Sequence, residues 1–66
     1  MLVYVLIYMT GGVVDECNCF MDEARAKAIF KEWTKDQPSK DDVVLFACQP
    51  DNPALDHIIA ESYGEG

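Results

Sequence analysis

The chain has no lysine or arginine before position 25 and none after position 40. All five of its basic residues lie in that window, which also holds Glu32 and Asp36 and therefore carries a net charge of +3. The remaining ten acidic residues have no base among them, and the whole chain carries −7. Nucleic acid and anionic lipid would repel such a chain, so we expect it to bind neither directly. A basic protein is the complementary partner; alternatively, the charge only keeps the domain soluble.

A long hydrophobic run is also missing. The longest apolar stretch, MLVYVLIYM at residues 1–9, is far shorter than the roughly 20 residues that cross a bilayer. No base precedes it and no small-residue cleavage site follows it, so it does not read as a signal peptide. The three cysteines cannot all pair with one another, which favours reduced thiols. We therefore expect a cytoplasmic protein without membrane contact.

No catalytic constellation is evident either. Asp56 and His57 are neighbours with no nucleophile near them in sequence, and the Gly11-Gly12 pair is too short a pattern for a phosphate-binding loop. The chain is also small for a sizeable substrate cleft. We expect a protein that is not an enzyme and needs no cofactor.

The apolar pattern predicts a single α+β domain over residues 1–66. Strands are expected at 2–9, 13–20 and 43–49, with a Gly-Gly hairpin between the first two and a helix from the Asp22 cap to the break at Pro38. A short C-terminal helix is expected from Asn52-Pro53 to about residue 63. The order is ββαβ with that last helix, in a three-stranded antiparallel sheet of order 2-1-3.

Both faces of this sheet would be apolar, and one amphipathic helix can cover only one of them. The other face needs the C-terminal helix, a second copy of the chain or another protein. We expect Tyr4, Tyr8 and Phe46 to form a contact surface, because aromatic residues are enriched in interface cores. If the C-terminal helix covers them, they are core residues. The expected partner-binding acids are Asp15, Glu16, Asp41, Asp42, Asp51, Asp56 and Glu61.

Two further functions remain open. Cys17, Cys19, Cys48 and His57 supply the ligand types of a structural zinc site or a redox-sensing module. Buried or half-buried free thiols are the preferred explanation of the cysteines, because their spacing is not that of a zinc knuckle. A homodimer without further activity would also cover the second face. The leading hypothesis is a small non-enzymatic inhibitor or regulator that binds a protein, with a basic nucleic-acid-binding protein as one class of target.

The segment GGVVDECNCFMDEARAKAIFKEW resembles the hairpin-into-helix part of small acidic ββαβ proteins from phages and mobile elements. The shared features are Phe20 at the end of a strand, an acidic cap at Asp22 and Glu23, and an alanine-rich helix with Ala24, Ala28 and Phe30. Anti-CRISPR proteins and other inhibitors of host defence belong to this group. The resemblance implies inhibition of a partner protein and assigns no residue a role.

Overall fold

The computed structural model of the chain describes residues 2–38 and 40–64. These residues form one antiparallel sheet with one α-helix packed against it. In chain order the elements are β1 (Val3–Thr10), β2 (Val13–Phe20), α1 (Glu23–Thr34), β3 (Asp41–Cys48), a 3-10 turn (Pro53–Leu55) and β4 (His57–Tyr63).

The sheet has the strand order β2-β1-β3-β4. Each neighbouring pair is antiparallel, so the predicted α+β class and the predicted order of the first three strands are confirmed. The predicted number of strands is wrong, because a fourth strand pairs with β3. The strongly apolar β1 and β3 occupy the two interior positions, and β2, with its acidic pair, forms an edge as expected.

The residues predicted as a C-terminal helix form β4 instead. Asn52 does precede a turn that begins at Pro53, but this turn is a single 3-10 segment that ends at Leu55. The β-branched pair Ile58-Ile59 then favours strand, and the edge of β3 offers unpaired backbone groups that a helix could not satisfy. Tertiary pairing therefore overrides the weak helical pattern.

The hairpin and the helix start form as the sequence predicts. Gly11 and Gly12 have φ angles of 59° and 87°, which glycine adopts without steric cost. At the helix start, the backbone N–H of Ala24 donates to Asp22 Oδ1 over 3.0 Å. This bond satisfies one of the N–H groups that a helix leaves unpaired.

The core lies between α1 and one face of the sheet. Leu6 and Leu45 face each other across β1 and β3, and both are fully buried together with Ala26 of the helix and Val43. The helix adds partly buried aromatic and aliphatic side chains from its apolar stripe, namely Ile29, Phe30 and Trp33. We call the side of the sheet that packs against α1 the helix face, and the opposite side the open face.

One side chain ties the edge strand β4 to the segment after the helix. Gln37 Nε2 donates to the Asp41 carbonyl over 2.5 Å and to the Ser62 carbonyl over 3.0 Å. Ser62 Oγ in turn donates to Gln37 Oε1 over 2.7 Å. The two hydrogen bonds with Ser62 anchor β4 to the segment after the helix, and the bond to Asp41 anchors the same segment to β3.

Candidate functional site: an apolar sheet face and an acidic groove

The open face has an apolar centre and carries apolar side chains from all four strands. Directly opposed residues in a sheet point to the same side, so the pairs Val5–Phe46 and Ile7–Val44 place four apolar side chains together at its centre. None of them belongs to the core cluster beneath the helix. The apolar side chains of this face are Val3, Val5, Ile7, Met9, Val14, Cys17, Cys19, Val44, Phe46, Cys48, Ile58 and Tyr63.

In residues 2–38 and 40–64 no second helix or sheet lies over the open face, since α1 packs on the opposite side. Its central side chains are half-buried, shielded by their neighbours in the sheet. Towards the β4 edge, Ile58 and Tyr63 each remain 57% exposed. The open face therefore leaves apolar side chains uncovered in the described structure.

The aromatic residues predicted as one contact surface do not share a face. Tyr4 and Tyr8 pair with Ala47 and Val43 and pack against the core under the helix, whereas Phe46 lies on the open face. Their aromatic character is what places the tyrosines in the predicted surface. The aliphatic neighbours of Phe46 on the open face are not part of that prediction, and they follow from strand alternation together with the register between β1 and β3.

The seven predicted acids lie in three places. Asp42 and Glu61 lie on the open face, and Asp51 and Asp56 flank the 3-10 turn between β3 and β4. The other three, Asp15, Glu16 and Asp41, line a groove beside the C-terminal half of α1.

This acidic groove has a volume of about 330 Å3. Besides the three acids it is lined by Tyr8, Thr10 and Trp33. A bulge in β2 sets Glu16 opposite Tyr8 and Val14 opposite Met9, so that Asp15 is the extra residue between them. The bulge explains why two neighbouring acids of one strand both border the groove.

Hydrogen bonding fixes the floor of the groove. The Tyr8 hydroxyl donates to Asp41 Oδ2, and Asp41 is only 6% exposed. This bond, together with burial and the charges of Asp41 and Asp15, raises the pKa of Tyr8 to about 12. The Trp33 ring meets Tyr8 edge-on, with centroids 5.9 Å apart. The Tyr8 hydroxyl thus acts as a hydrogen-bond donor to Asp41 on the floor of the groove.

The four residues considered as ligands of a zinc site do not lie together. Cys17, Cys19 and Cys48 all lie on the open face, whereas His57 pairs with Ala47 on the helix face and its Nδ1 lies 3.0 Å from the Leu55 carbonyl. Burial, with smaller effects from Asp56 and Cys19, raises the pKa of the Cys48 thiol, which disfavours the thiolate that binds metal. Among the described residues, no three histidine, cysteine or acidic side chains are placed to hold a metal ion.

Comparison of the chain with protein-family models, with curated proteins and with solved structures gives no match. Over residues 2–38 and 40–64, none of the helical segments has the length and apolarity that crossing a membrane requires.

Proposed function

We propose that this protein is a small non-enzymatic interaction protein that binds another protein through its open face and so acts as an inhibitor or regulator. The observation that carries the proposal is the uncovered apolar side of the sheet. Four strands about 4.8 Å apart and some seven residues long give this face an area of roughly 500 Å2. Patches of that size on soluble proteins commonly mark interaction sites.

The composition of the face fits a protein contact. Its centre consists of Val5, Ile7, Val44 and Phe46, which offer dispersion contacts and apolar area but few hydrogen-bonding groups. A small-molecule site is concave and encloses its ligand, whereas a sheet face offers a broad surface to a macromolecule. Binding there would act by occupying the partner's surface, which is the action of an inhibitor or regulator.

The negative charge supports one class of target. A chain with a net charge of −7 is attracted to basic proteins, and nucleic-acid-binding proteins present such surfaces. This agrees with the resemblance of residues 11–33 to the small acidic inhibitors of phages and mobile elements, so inhibition of a basic nucleic-acid-binding protein is our specific proposal.

Differential capture tests the proposal. Wild-type protein, a Val44→Lys variant and a Lys31→Ala variant would be immobilised and exposed to extract of the source organism, with quantitative mass spectrometry of the eluates. Val44→Lys places a charge in the open face, while Lys31→Ala changes an exposed helix residue. We expect a protein that wild type and Lys31→Ala retain and Val44→Lys does not. Identical eluates from all three would contradict the proposal.

A further inference from the structure

The sheet carries charge of only one sign. The four strands contain five carboxylates, Asp15, Glu16, Asp41, Asp42 and Glu61, and no lysine or arginine. Arg25 and three of the four lysines lie on α1 or directly after it, and Lys40 lies in the turn before β3. In residues 2–38 and 40–64 the one ion pair joins Lys27 to Glu23 over 3.2 Å, on the exposed side of the helix.

Two of these carboxylates, those of Asp42 and Glu61, lie at one corner of the open face beside the β4 edge, and we call this corner its anionic end. Glu61 is directly opposite Val44, and Asp42 is opposite Tyr63. The Gly64 N–H donates to Asp42 Oδ1 over 2.9 Å, and the Tyr63 hydroxyl donates to Glu61 Oε2 over 2.8 Å. These bonds orient both carboxylates without neutralising them. The open face thus has an apolar centre and an anionic end.

A second copy of the chain fits this face poorly. Each copy carries −7, and two stacked open faces would offer no base to Asp42 or Glu61. Like charges across an interface oppose association.

We infer that the occupant of the open face is a different protein, whose apolar ridge is bordered at one end by arginine or lysine. The inference rests on the proposed function and specifies its partner. The ridge would cover Val5, Ile7 and Phe46, while a guanidinium or ammonium group would bind the carboxylates of Asp42 and Glu61. Arginine suits this position best because its planar fork can serve two carboxylate oxygens at once.

Two synthetic amphipathic helical peptides with the same leucine face test this inference. One carries arginine and the other glutamate at the polar positions bordering that face. Binding is followed by fluorescence anisotropy of the labelled peptides. The proteins are wild type, Val44→Lys, the face variant Asp42→Asn/Glu61→Gln and the control Glu32→Gln/Asp36→Asn. The control loses the same charge at two exposed positions on or just after α1, away from the open face. Sedimentation of each protein alone gives its oligomeric state.

We expect the arginine peptide to bind wild type and the control alike. Its affinity should fall about tenfold in the face variant, as expected for the loss of charge-assisted contacts, and binding should disappear in Val44→Lys. The glutamate peptide should not bind. An equal loss in the face variant and the control would overturn the inference, because bulk charge would then be sufficient.

The other outcomes separate this inference from the proposed function. If both peptides bind wild type equally and Val44→Lys abolishes both, the open face is a docking surface but its anionic end does not select the partner. A wild-type dimer that Val44→Lys converts to monomer would identify a second copy as the occupant and overturn the inference. A monomer that binds neither peptide would count against the proposed function itself.

Discussion

The side on which a β3 residue lies should decide whether the chain tolerates a lysine there. Leu45 is fully buried on the helix face, with Leu6 and Ala60 as its cross-strand neighbours. Val44, the preceding residue, is half-buried on the open face and has Glu61 opposite. We predict that Leu45→Lys prevents folding and that Val44→Lys leaves a folded and nearly as stable protein.

The magnitudes follow from these surroundings. A domain of this length has a free energy of unfolding of about 3–10 kcal/mol. An unpaired buried ammonium costs several kcal/mol, so Leu45→Lys would remove most or all of the free energy of unfolding. On the open face, Val44→Lys would lose about 1 kcal/mol of apolar burial. An opposite-charge pair with Glu61 would offset that loss by about 0.2–1 kcal/mol.

Urea unfolding followed by far-UV circular dichroism measures both effects. For Val44→Lys we expect a cooperative transition with a free energy of unfolding lowered by no more than about 1 kcal/mol. For Leu45→Lys we expect no cooperative transition. If Val44→Lys were as damaging as Leu45→Lys, some part of the chain or another copy would have to cover the open face. Repeating the measurement at tenfold lower protein concentration distinguishes these two cases.

Three further predictions concern individual contacts. The pKa of Tyr8 in the folded protein is raised from 10.0 to about 12. Its contribution to the free energy of unfolding is therefore present below pH 10 and lost as pH rises towards 12. The urea midpoint of Tyr8→Phe should accordingly fall less over this pH range than the midpoint of wild type. Asp22→Ala should lower the free energy of unfolding by about 1 kcal/mol through the lost cap, with no comparable effect from Asp51→Ala at an exposed turn. Gln37→Ala should lower the free energy of unfolding by about 1–3 kcal/mol and accelerate amide exchange in β4 more than in β2. Equal acceleration in both strands would contradict the role of Gln37 in anchoring β4.

The local features were predictable because short-range chemistry determines them. Gly11 and Gly12 supply the positive φ angles of the hairpin, and Asp22 supplies the cap of α1. The predicted bounds of β2 match the structure, while β1 and β3 are displaced by one or two residues. The order of the first three strands followed from connection rules alone, because a helix between β2 and β3 leaves room for β1 between them.

The C-terminal strand and the contact surface depended on contacts between distant residues. The segment around Ile58 and Ile59 shows an apolar pattern compatible with either helix or strand, and pairing with β3 decides for strand. Strand alternation indicates two apolar faces in β1 and in β3, but it does not give the pairing register between these strands. That register places Tyr4 and Tyr8 on one side of the sheet and Phe46 on the other. The groove likewise requires the β2 bulge beside Asp15, which has no clear signal in the sequence.

The shape of the chain links its stability to its proposed partner. A helix of 12 residues is about 18 Å long and 10 Å wide, so it cannot fully cover four strands that span roughly 19 Å. Among the described residues, the fully buried apolar side chains are only Leu6, Ala26, Val43, Leu45 and Ala47. A partner on the open face would add a second layer of packing and would stabilise the fold by about 2.7 kcal/mol at a hundred times its Kd. For a domain with so small a core, that increment is a large fraction of the total, so binding and folding would be strongly coupled.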